Sequence, residues 1–271
     1  MNVLMIGDIY GSAGRRLVAA LVPRLRAEHR VDWVIANGEN ATGGVGLSPR
    51  HRDQILAAGI DLLTGGNHVF ARPDWTAAVA DPARLLRPQN IGGETLPGRG
   101  WSILAAPDRP SLGVINLAGR IFMEPAECPF QWADLLLARL PADLPVVVDF
   151  HAEATSEKIA LAWHLDGRAA FVAGTHTHVQ TADERILPGG TGAITDLGMT
   201  GPRDGILGVD RGIVLNRFRN GFSDRFQSAQ GPAVLEGVLI EVAGPGRTRS
   251  VRRLRYQEEP GGAAGSDSAT D

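Results

Sequence analysis

The segment FVAGTHTH at residues 171–178 decides the fold class. Its first half is a short apolar run of the kind that forms a buried strand, and two histidines follow where that strand ends. Two imidazoles that close an apolar strand have little structural purpose, so His176 and His178 are candidate metal ligands. On an extended segment, residues two apart point to the same side, and each imidazole could then serve one of two neighbouring ions.

The same arrangement occurs four times earlier in the chain. Apolar runs at residues 3–6, 33–36, 62–63 and 146–148 each predict a strand. The polar residues that follow these runs are Asp8, then Glu39 with Asn40, then Asn67 with His68, and finally His151. Because the carboxyl ends of parallel strands line up along one edge of a sheet, we expect these side chains to converge there.

Helical segments alternate with these strands. Helices are predicted over residues 14–28, 48–58, 73–80, 132–140 and 156–164, with Ser48-Pro49 as a capped helix start. The alternation is typical of an α/β fold with parallel βαβ units. After residue 191 the pattern changes, and runs at 213–218, 234–242 and 250–256 predict antiparallel strands that close a second sheet. We expect a single domain over residues 1–257 and a disordered tail over residues 258–271.

Composition narrows the classes of function. The 271-residue chain has a formal net charge of −3 and shows no basic run, which favours a small substrate over a long nucleic acid, although a local arginine patch is left open. Its single cysteine, Cys128, excludes an intrachain disulfide and a cysteine-based zinc site. The sequence has neither a recognisable secretion signal nor an apolar run of membrane-spanning length, which predicts a cytoplasmic protein that makes no membrane contact.

The residue types at the strand ends indicate divalent metals. Carboxylates, amide oxygens and neutral imidazoles are ligands for ions such as manganese, iron(II) and zinc. Seven or so ligands are too many for one four-coordinate zinc ion, and they suit a pair of ions that share a bridging carboxylate, an arrangement used for phosphoryl chemistry.

These motifs, in this order, resemble the calcineurin-like metallophosphoesterases. Gly66-Asn67-His68 and Gly174-Thr175-His176-Thr177-His178 are the most recognisable parts. Two departures from the general pattern, Tyr10 in place of a histidine ligand and Glu39 in place of the bridging aspartate, are similar to the YmdB subfamily of bacterial phosphodiesterases. The stretches at residues 37–41 and 149–158 are also similar to that subfamily. The resemblance implies a two-sheet β-sandwich flanked by helices, with the site at the carboxyl ends of the strands.

The resemblance also implies a role for each residue. Asp8, Glu39, Asn40 and His178 would hold a first ion, Glu39 would bridge, and Asn67, His151 and His176 would complete a second ion's site. His68 would be the catalytic proton donor and not a ligand. Two divalent ions are implied, iron or manganese foremost with zinc as an alternative. The implied activity is hydrolysis of 2′,3′-cyclic nucleotides or similar small phosphodiesters by metal-activated hydroxide. Substrate-binding residues stay unassigned.

Two other functions remain open at this point. The same metals could serve a phosphomonoesterase or protein phosphatase, because the pocket and not the ligand set decides the substrate. A metal-dependent regulatory protein with weak catalysis is the second alternative, and the missing histidine at Tyr10 motivates it. A homo-oligomer is conceivable on general grounds, but no residue specifies one.

Overall fold

Two β-sheets packed face to face form the centre of the protein, as the computed structural model shows for residues 1–222 and 225–258. The first sheet has the strand order β2-β11-β12-β1-β3-β4, and β13 pairs with β12. Its strands are β1 (Asn2–Ile6), β2 (Asp8–Ile9), β3 (Trp33–Asn37), β4 (Leu62–Thr64), β11 (Met199–Pro202), β12 (Ala233–Gly244) and β13 (Arg247–Gln257). Strands β1, β3 and β4 are mutually parallel.

The second sheet comes from the middle of the chain and has the order β5-β6-β7-β8-β10-β9. Its strands are β5 (Trp101–Ala106), β6 (Arg109–Ala118), β7 (Val146–His151), β8 (Phe171–Thr175), β9 (Arg185–Ile186) and β10 (Gly192–Ile194). Strands β6, β7, β8 and β10 are parallel, which long crossover connections allow.

Most of the helices cover the outer face of one of the sheets. They are α1 (Gly11–Glu28), α2 (Pro49–Ala57), α3 (Trp75–Ala78), α4 (Pro129–Arg139), α5 (Thr155–His164) and α6 (Arg211–Asn220), with a 3-10 helix at Asn67–Phe70. The predicted start of α2 is confirmed, because the Ser48 side chain accepts a hydrogen bond from the His51 backbone N–H. Among the described residues, no helix is long and apolar enough to cross a membrane.

The alternation of side chains along each strand divides the core into layers. In β1, Val3 and Met5 pack between the two sheets, whereas Leu4 and Ile6 pack under α1 and α2. The outer face of the second sheet packs in the same way against α4 and α5. Alternate residues of each strand thus face two different apolar layers, which explains why the strands are apolar on both faces. The fold is the predicted α/β two-sheet sandwich flanked by helices.

The C-terminal strands do not form the second sheet, which corrects one prediction. Strand β12 lies beside β1 in the first sheet, with Leu4 opposite Leu239, and β13 extends the same sheet as a hairpin partner. Most of β12 is buried, as expected of a strand with neighbours on both sides. The second sheet is built instead by strands from residues 101–194.

The predicted strand at residues 213–218 is wrong as well, because this segment is helix α6. The helix begins at Asp210, whose carboxylate accepts hydrogen bonds from Gly212 N at 2.8 Å and Ile213 N at 3.2 Å. It ends at Gly221, which has a φ of 76°. An aspartate N-cap and a left-handed glycine C-cap outweighed the β-branched residues in between.

The predicted tail lies almost entirely outside the described residues. Its first residue, Glu258, is described: its backbone N–H bonds to Ala233 O and its carboxylate pairs with Arg16 at 2.9 Å. The domain boundary at residue 257 and the disorder of residues 259–271 stay predictions.

Removing the cap of α6 should loosen that helix. We expect Asp210→Ala to destabilise it by about 1 kcal/mol, since two backbone N–H groups lose their acceptor. Amide hydrogen exchange over residues 211–220 should then quicken by about fivefold. Asp210→Asn keeps an acceptor oxygen and is the matched control, and equal exchange in both variants would contradict the capping role.

Candidate metal centre

All eight predicted site residues lie in one connected network at the edge where the two sheets meet. Asp8, Glu39, Asn40 and Asn67 follow β1, β3 and β4 of the first sheet, and His151 and His176 come from β7 and β8 of the second. The predicted convergence is therefore present, but across two sheets and not along the edge of one. Glu39, His151 and His176 form a group whose ligand atoms all lie within 4.8 Å of one another.

Close packing of the first sheet's loops brings these residues together. The loop after β4 passes so near the cluster that a Cβ on Gly66 would lie 2.2 Å from His151 Nε2 and 2.3 Å from Glu39 Oε2. Only glycine leaves room for both side chains at this position. The Gly66-Asn67-His68 motif thus has a steric reason for its first residue.

Three acceptor atoms surround a single nitrogen of His151. Glu39 Oε1, Asn67 Oδ1 and His176 Nδ1 lie 3.1, 3.1 and 3.0 Å from His151 Nε2. One proton on this nitrogen can satisfy only one of the three well. A cation among the four atoms would satisfy every lone pair at once, so the donor set fits a divalent metal.

Asp8, Asn40 and His178 form a second group of potential ligands. Asp8 Oδ1 is buried and has no hydrogen-bond partner among the described residues. His178 Nε2 is 3.8 Å from this oxygen and 3.0 Å from the side-chain amide of Asn40. A buried carboxylate oxygen without a partner is costly unless a cation joins it, so this group also fits a metal ion.

The pKa shifts of the buried groups also indicate that the cluster lacks positive charge. Burial raises the pKa of Asp8. Burial alone would lower the pKa of His151, but the carboxylates of Glu39, Asp8 and Asp149 together outweigh it and raise that pKa to about 9. Burial and the His151 charge lower the pKa of His176 to about 3. A pKa of about 9 keeps the His151 imidazole protonated at neutral pH, and its positive charge balances the Glu39 carboxylate.

The two histidines of the GTHTH motif do not lie on an extended strand, which corrects the prediction. Strand β8 ends at Thr175, and His176 and His178 have positive φ angles of 101° and 62°. Both still point into the cluster, His176 toward His151 and His178 toward Asp8 and Asn40. A tight turn with unusual backbone angles, and not strand alternation, brings them there.

A buried ion pair holds this turn. Lys158 Nζ donates to Asp196 Oδ2 at 2.8 Å, and both side chains are buried. The same oxygen accepts from the Thr177 backbone N–H at 3.1 Å and from its hydroxyl at 2.7 Å. Thr177 lies between the two histidines, so Lys158 acts on the metal centre through Asp196. Lys158 thereby supports the position of both histidines.

A second chain of contacts orients His151. Its Nδ1 is 3.0 Å from Thr175 Oγ1, and that hydroxyl donates to Asp149 Oδ1 at 2.7 Å. Because Thr175 donates its only proton to Asp149, its oxygen accepts from His151 Nδ1–H, which leaves Nε2 as the ligand atom. Burial raises the pKa of Asp149 to about 6, and the Thr64 and Thr175 hydroxyls oppose the shift.

His68 lies beside the cluster and faces outward. Its Nδ1 is 2.8 Å from Asn40 Oδ1 and 3.3 Å from Glu39 Oε1, while its side chain is 38% exposed. Its hydrogen bond to Glu39 raises the pKa of the imidazole. Since Nδ1 is engaged by these oxygens, Nε2 is the nitrogen that can face the open pocket beside the cluster, which His68 lines.

Tyr10 contributes packing at the position where a histidine ligand would be expected. Its ring meets the edge of His178 with centroids 5.9 Å apart, and it is buried with Met199 and Val209. Burial raises the pKa of its hydroxyl, against a hydrogen bond with Ser228. The ring therefore supports His178 from the side.

Two acidic residues near the cluster were missed by the sequence analysis. Glu153 Oε2 is 3.1 Å from His176 Nε2, and Glu124 Oε1 accepts from the Asn67 amide at 3.2 Å. Glu153 lies only two residues after His151, a spacing that could have indicated it. Glu124 belongs to a connection without any pattern, so only the fold brings it to the site.

Comparison with known proteins identifies the family. The model of the YmdB-like protein family matches residues 4–254. The chain belongs to this family. It is 46% identical over 243 residues to the 2′,3′-cyclic-nucleotide 2′-phosphodiesterase of Bacillus subtilis (strain 168), covering 89% of this chain and 91% of the relative.

Two solved structures share the YmdB-like fold over almost the whole chain. A hypothetical protein from Thermus thermophilus is 41% identical with a TM-score of 0.89, covering 96% of this chain and 100% of that one. A phosphatase from Mycoplasma pneumoniae is 31% identical with a TM-score of 0.87, covering 96% and 95%. The predicted family and fold class are thereby confirmed.

The Thr175 hydroxyl should be needed for metal affinity. We expect Thr175→Val to weaken metal binding by about 10–100-fold, because His151 loses the partner that fixes its tautomer. Metal affinity is measured by competition with a chelating dye, and circular dichroism checks the fold.

Thr175→Ser restores the hydroxyl and is the matched control. Equal metal affinity in both variants, with the fold intact, would show that the hydroxyl does not orient His151.

Proposed function

We propose that this YmdB-like protein is a phosphodiesterase that hydrolyses 2′,3′-cyclic nucleotides or similar small phosphodiesters with two divalent metal ions. The relationship to the Bacillus subtilis enzyme, at 46% identity over 243 residues, carries the substrate class. The names of that relative and of the Mycoplasma phosphatase support an enzyme that acts on phosphoric esters.

The proposed ligand sets follow the two groups around Glu39. Asp8, Asn40 and His178 would hold one ion, Asn67, His151 and His176 would hold the other, and Glu39 would be shared by both. Support comes from the unpartnered Asp8 oxygen and from the three acceptors around His151 Nε2. Iron or manganese are the preferred ions and zinc is the alternative, since these ligand types accept all three.

The site suggests a role for each group in the hydrolysis of the phosphodiester. The ions, when held by these residues, would supply an activated water and offset negative charge on the phosphate oxygens. The oxygen of water bonds to phosphorus, the bond from phosphorus to the 2′ oxygen breaks, and that oxygen needs a proton. His68 Nε2 faces the cleft from beside Asn40 and Glu39, so His68 is the proposed proton donor to the leaving oxygen.

Several wider expectations accompany this proposal. A cytoplasmic location and a substrate smaller than a long nucleic acid rest on the sequence alone. A homo-oligomer also stays a prediction, as does the regulatory alternative. The monoesterase alternative is tested directly below.

Metal content and substrate choice should be measured together. We expect about two ions per chain after purification without chelator and loading with manganese, in line with a paired site. The loaded protein should cleave 2′,3′-cyclic AMP and a chromogenic phosphodiester, and a chelator should abolish both reactions.

A chromogenic phosphomonoester separates the alternatives. Faster cleavage of the monoester than of either diester would favour a phosphatase. Two bound ions without turnover on any substrate would favour a regulatory role, and absence of bound metal would overturn the proposed site.

His68 should matter for turnover and not for metal binding. We expect His68→Ala to lower kcat by about 10²–10⁴-fold, the usual contribution of a general acid. Metal content should stay equal to that of the unsubstituted protein.

His151→Ala is the comparison, because it removes a proposed ligand and should lower the metal content itself. Loss of metal from His68→Ala would show that His68 is a ligand.

A further inference from the structure

A wide cleft extends outward from the metal cluster. It begins at Glu39, Asn40, His68, His176 and His178 and runs between α1, α2 and α6. Its volume is about 1680 Å³. Pockets for small molecules are typically about 300–1,000 Å³, so a cyclic mononucleotide would leave much of this cleft empty.

The cleft has an arginine-rich lining outside the metal end. Six arginines line it: Arg15, Arg16, Arg50, Arg72, Arg217 and Arg225. Two of them are ion-paired, Arg16 with Glu258 and Arg72 with Asp74. The carboxylates among the described lining residues are Glu39 and Glu153, both at the metal cluster. A chain with a formal net charge of −3 thus concentrates positive charge along one groove. Such a groove suits a ligand with several phosphates.

Exposed aromatic rings lie on the same walls. Phe218 is 77% exposed and Phe226 44% exposed, and Arg217 lies over the Phe226 ring at 5.2 Å. Val214 is the one buried residue of α6, so the helix presents these groups to the cleft instead of covering core. Aromatic rings beside arginines in a positive groove are the usual platform for unpaired bases.

We propose that this cleft binds the 3′ end of a single-stranded RNA that carries a terminal 2′,3′-cyclic phosphate. The inference rests on the proposed function: the cyclic phosphate occupies the metal cluster, while upstream phosphates meet Arg50 of α2 and Arg217 of α6 and a base stacks on Phe218. Water adds across the bond from phosphorus to the 2′ oxygen, which leaves a 2′ hydroxyl and a 3′ phosphate.

The chemistry of this substrate fixes the reaction that supplies it. A 2′,3′-cyclic phosphate at an RNA end forms when the 2′ oxygen attacks the adjacent phosphorus and the 5′ oxygen of the next nucleotide leaves. Strand cleavage of this class therefore produces the ligand. The net charge of the whole sequence does not indicate this groove, because the arginines that line it come from separate segments of the chain.

Binding and cleavage of a tetranucleotide test the inference. The binding probe is a fluorescein-labelled RNA tetranucleotide with a 3′ phosphate, titrated by anisotropy into metal-loaded protein between about 50 and 200 mM salt. Cleavage of the corresponding 2′,3′-cyclic tetranucleotide is compared with that of 2′,3′-cyclic AMP. The variants are Arg50→Gln/Arg217→Gln, Phe218→Ala and Phe218→Trp, and Arg249→Gln is an exposed control outside the cleft.

We expect the tetranucleotide to have at least a tenfold higher kcat/KM than cyclic AMP. The double arginine variant should bind the probe about tenfold or more weakly and lower the slope of log affinity against log salt by about 1.4, at about 0.7 for each lost phosphate contact. Phe218→Ala should weaken binding by about fivefold or more, and Phe218→Trp should retain it. Arg249→Gln should match the unsubstituted protein.

The outcomes separate this inference from the function on which it rests. Cleavage of cyclic AMP with no preference for the tetranucleotide and no effect of the arginine variant would overturn the inference and leave the proposed function intact. Probe binding that depends on Arg50 and Arg217, with neither substrate cleaved, would support the groove and contradict the proposed function. A change in oligomeric state by light scattering in Phe218→Ala, without a change in RNA binding, would assign the surface to a second copy and overturn the inference.

Discussion

The rest of the structure depends on the need to balance buried negative charge at one edge of the sandwich. Asp8 and Glu39 are almost fully buried, and each lies where a strand of the first sheet ends. Removing a carboxylate from water is costly unless a cation compensates it. The His151 imidazole of the second sheet, whose pKa is raised to about 9, provides part of that compensation, so the two sheets must meet with their strand ends in register.

The supporting contacts show how this register is kept. Asp149, deep between the sheets, accepts hydrogen bonds from Thr64 of the first sheet and Thr175 of the second, and so links the strands that carry the ligands. Asn116 spans the same gap, because its amide bonds to Gly65 O and its carbonyl accepts from Gly65 N. Polar groups fully paired inside an apolar core fix one arrangement of strands more strictly than apolar contacts alone.

The sequence predicted the parts of this arrangement that depend on local pattern. Continuous apolar runs, each followed by polar residues, predicted that Asp8, Glu39, Asn67 and His151 lie at the ends of strands, and the structure has them there. The sequence did not predict features that depend on contacts between residues far apart in the chain. The His176–His178 turn has its shape because Asp196 and Lys158 hold Thr177, and neither partner is near it in sequence. Helix α6 was not predicted for another reason. Its apolar residues resemble a strand, and only the caps at Asp210 and Gly221 indicate a helix.

The ion pair between Lys158 and Asp196 has a consequence for the chemical reactivity of the whole protein. Lys158 is the only lysine in the 271 residues, and its amino group is buried beneath the metal centre. The folded protein therefore offers acylating reagents and lysine-modifying enzymes no exposed lysine anywhere on its surface.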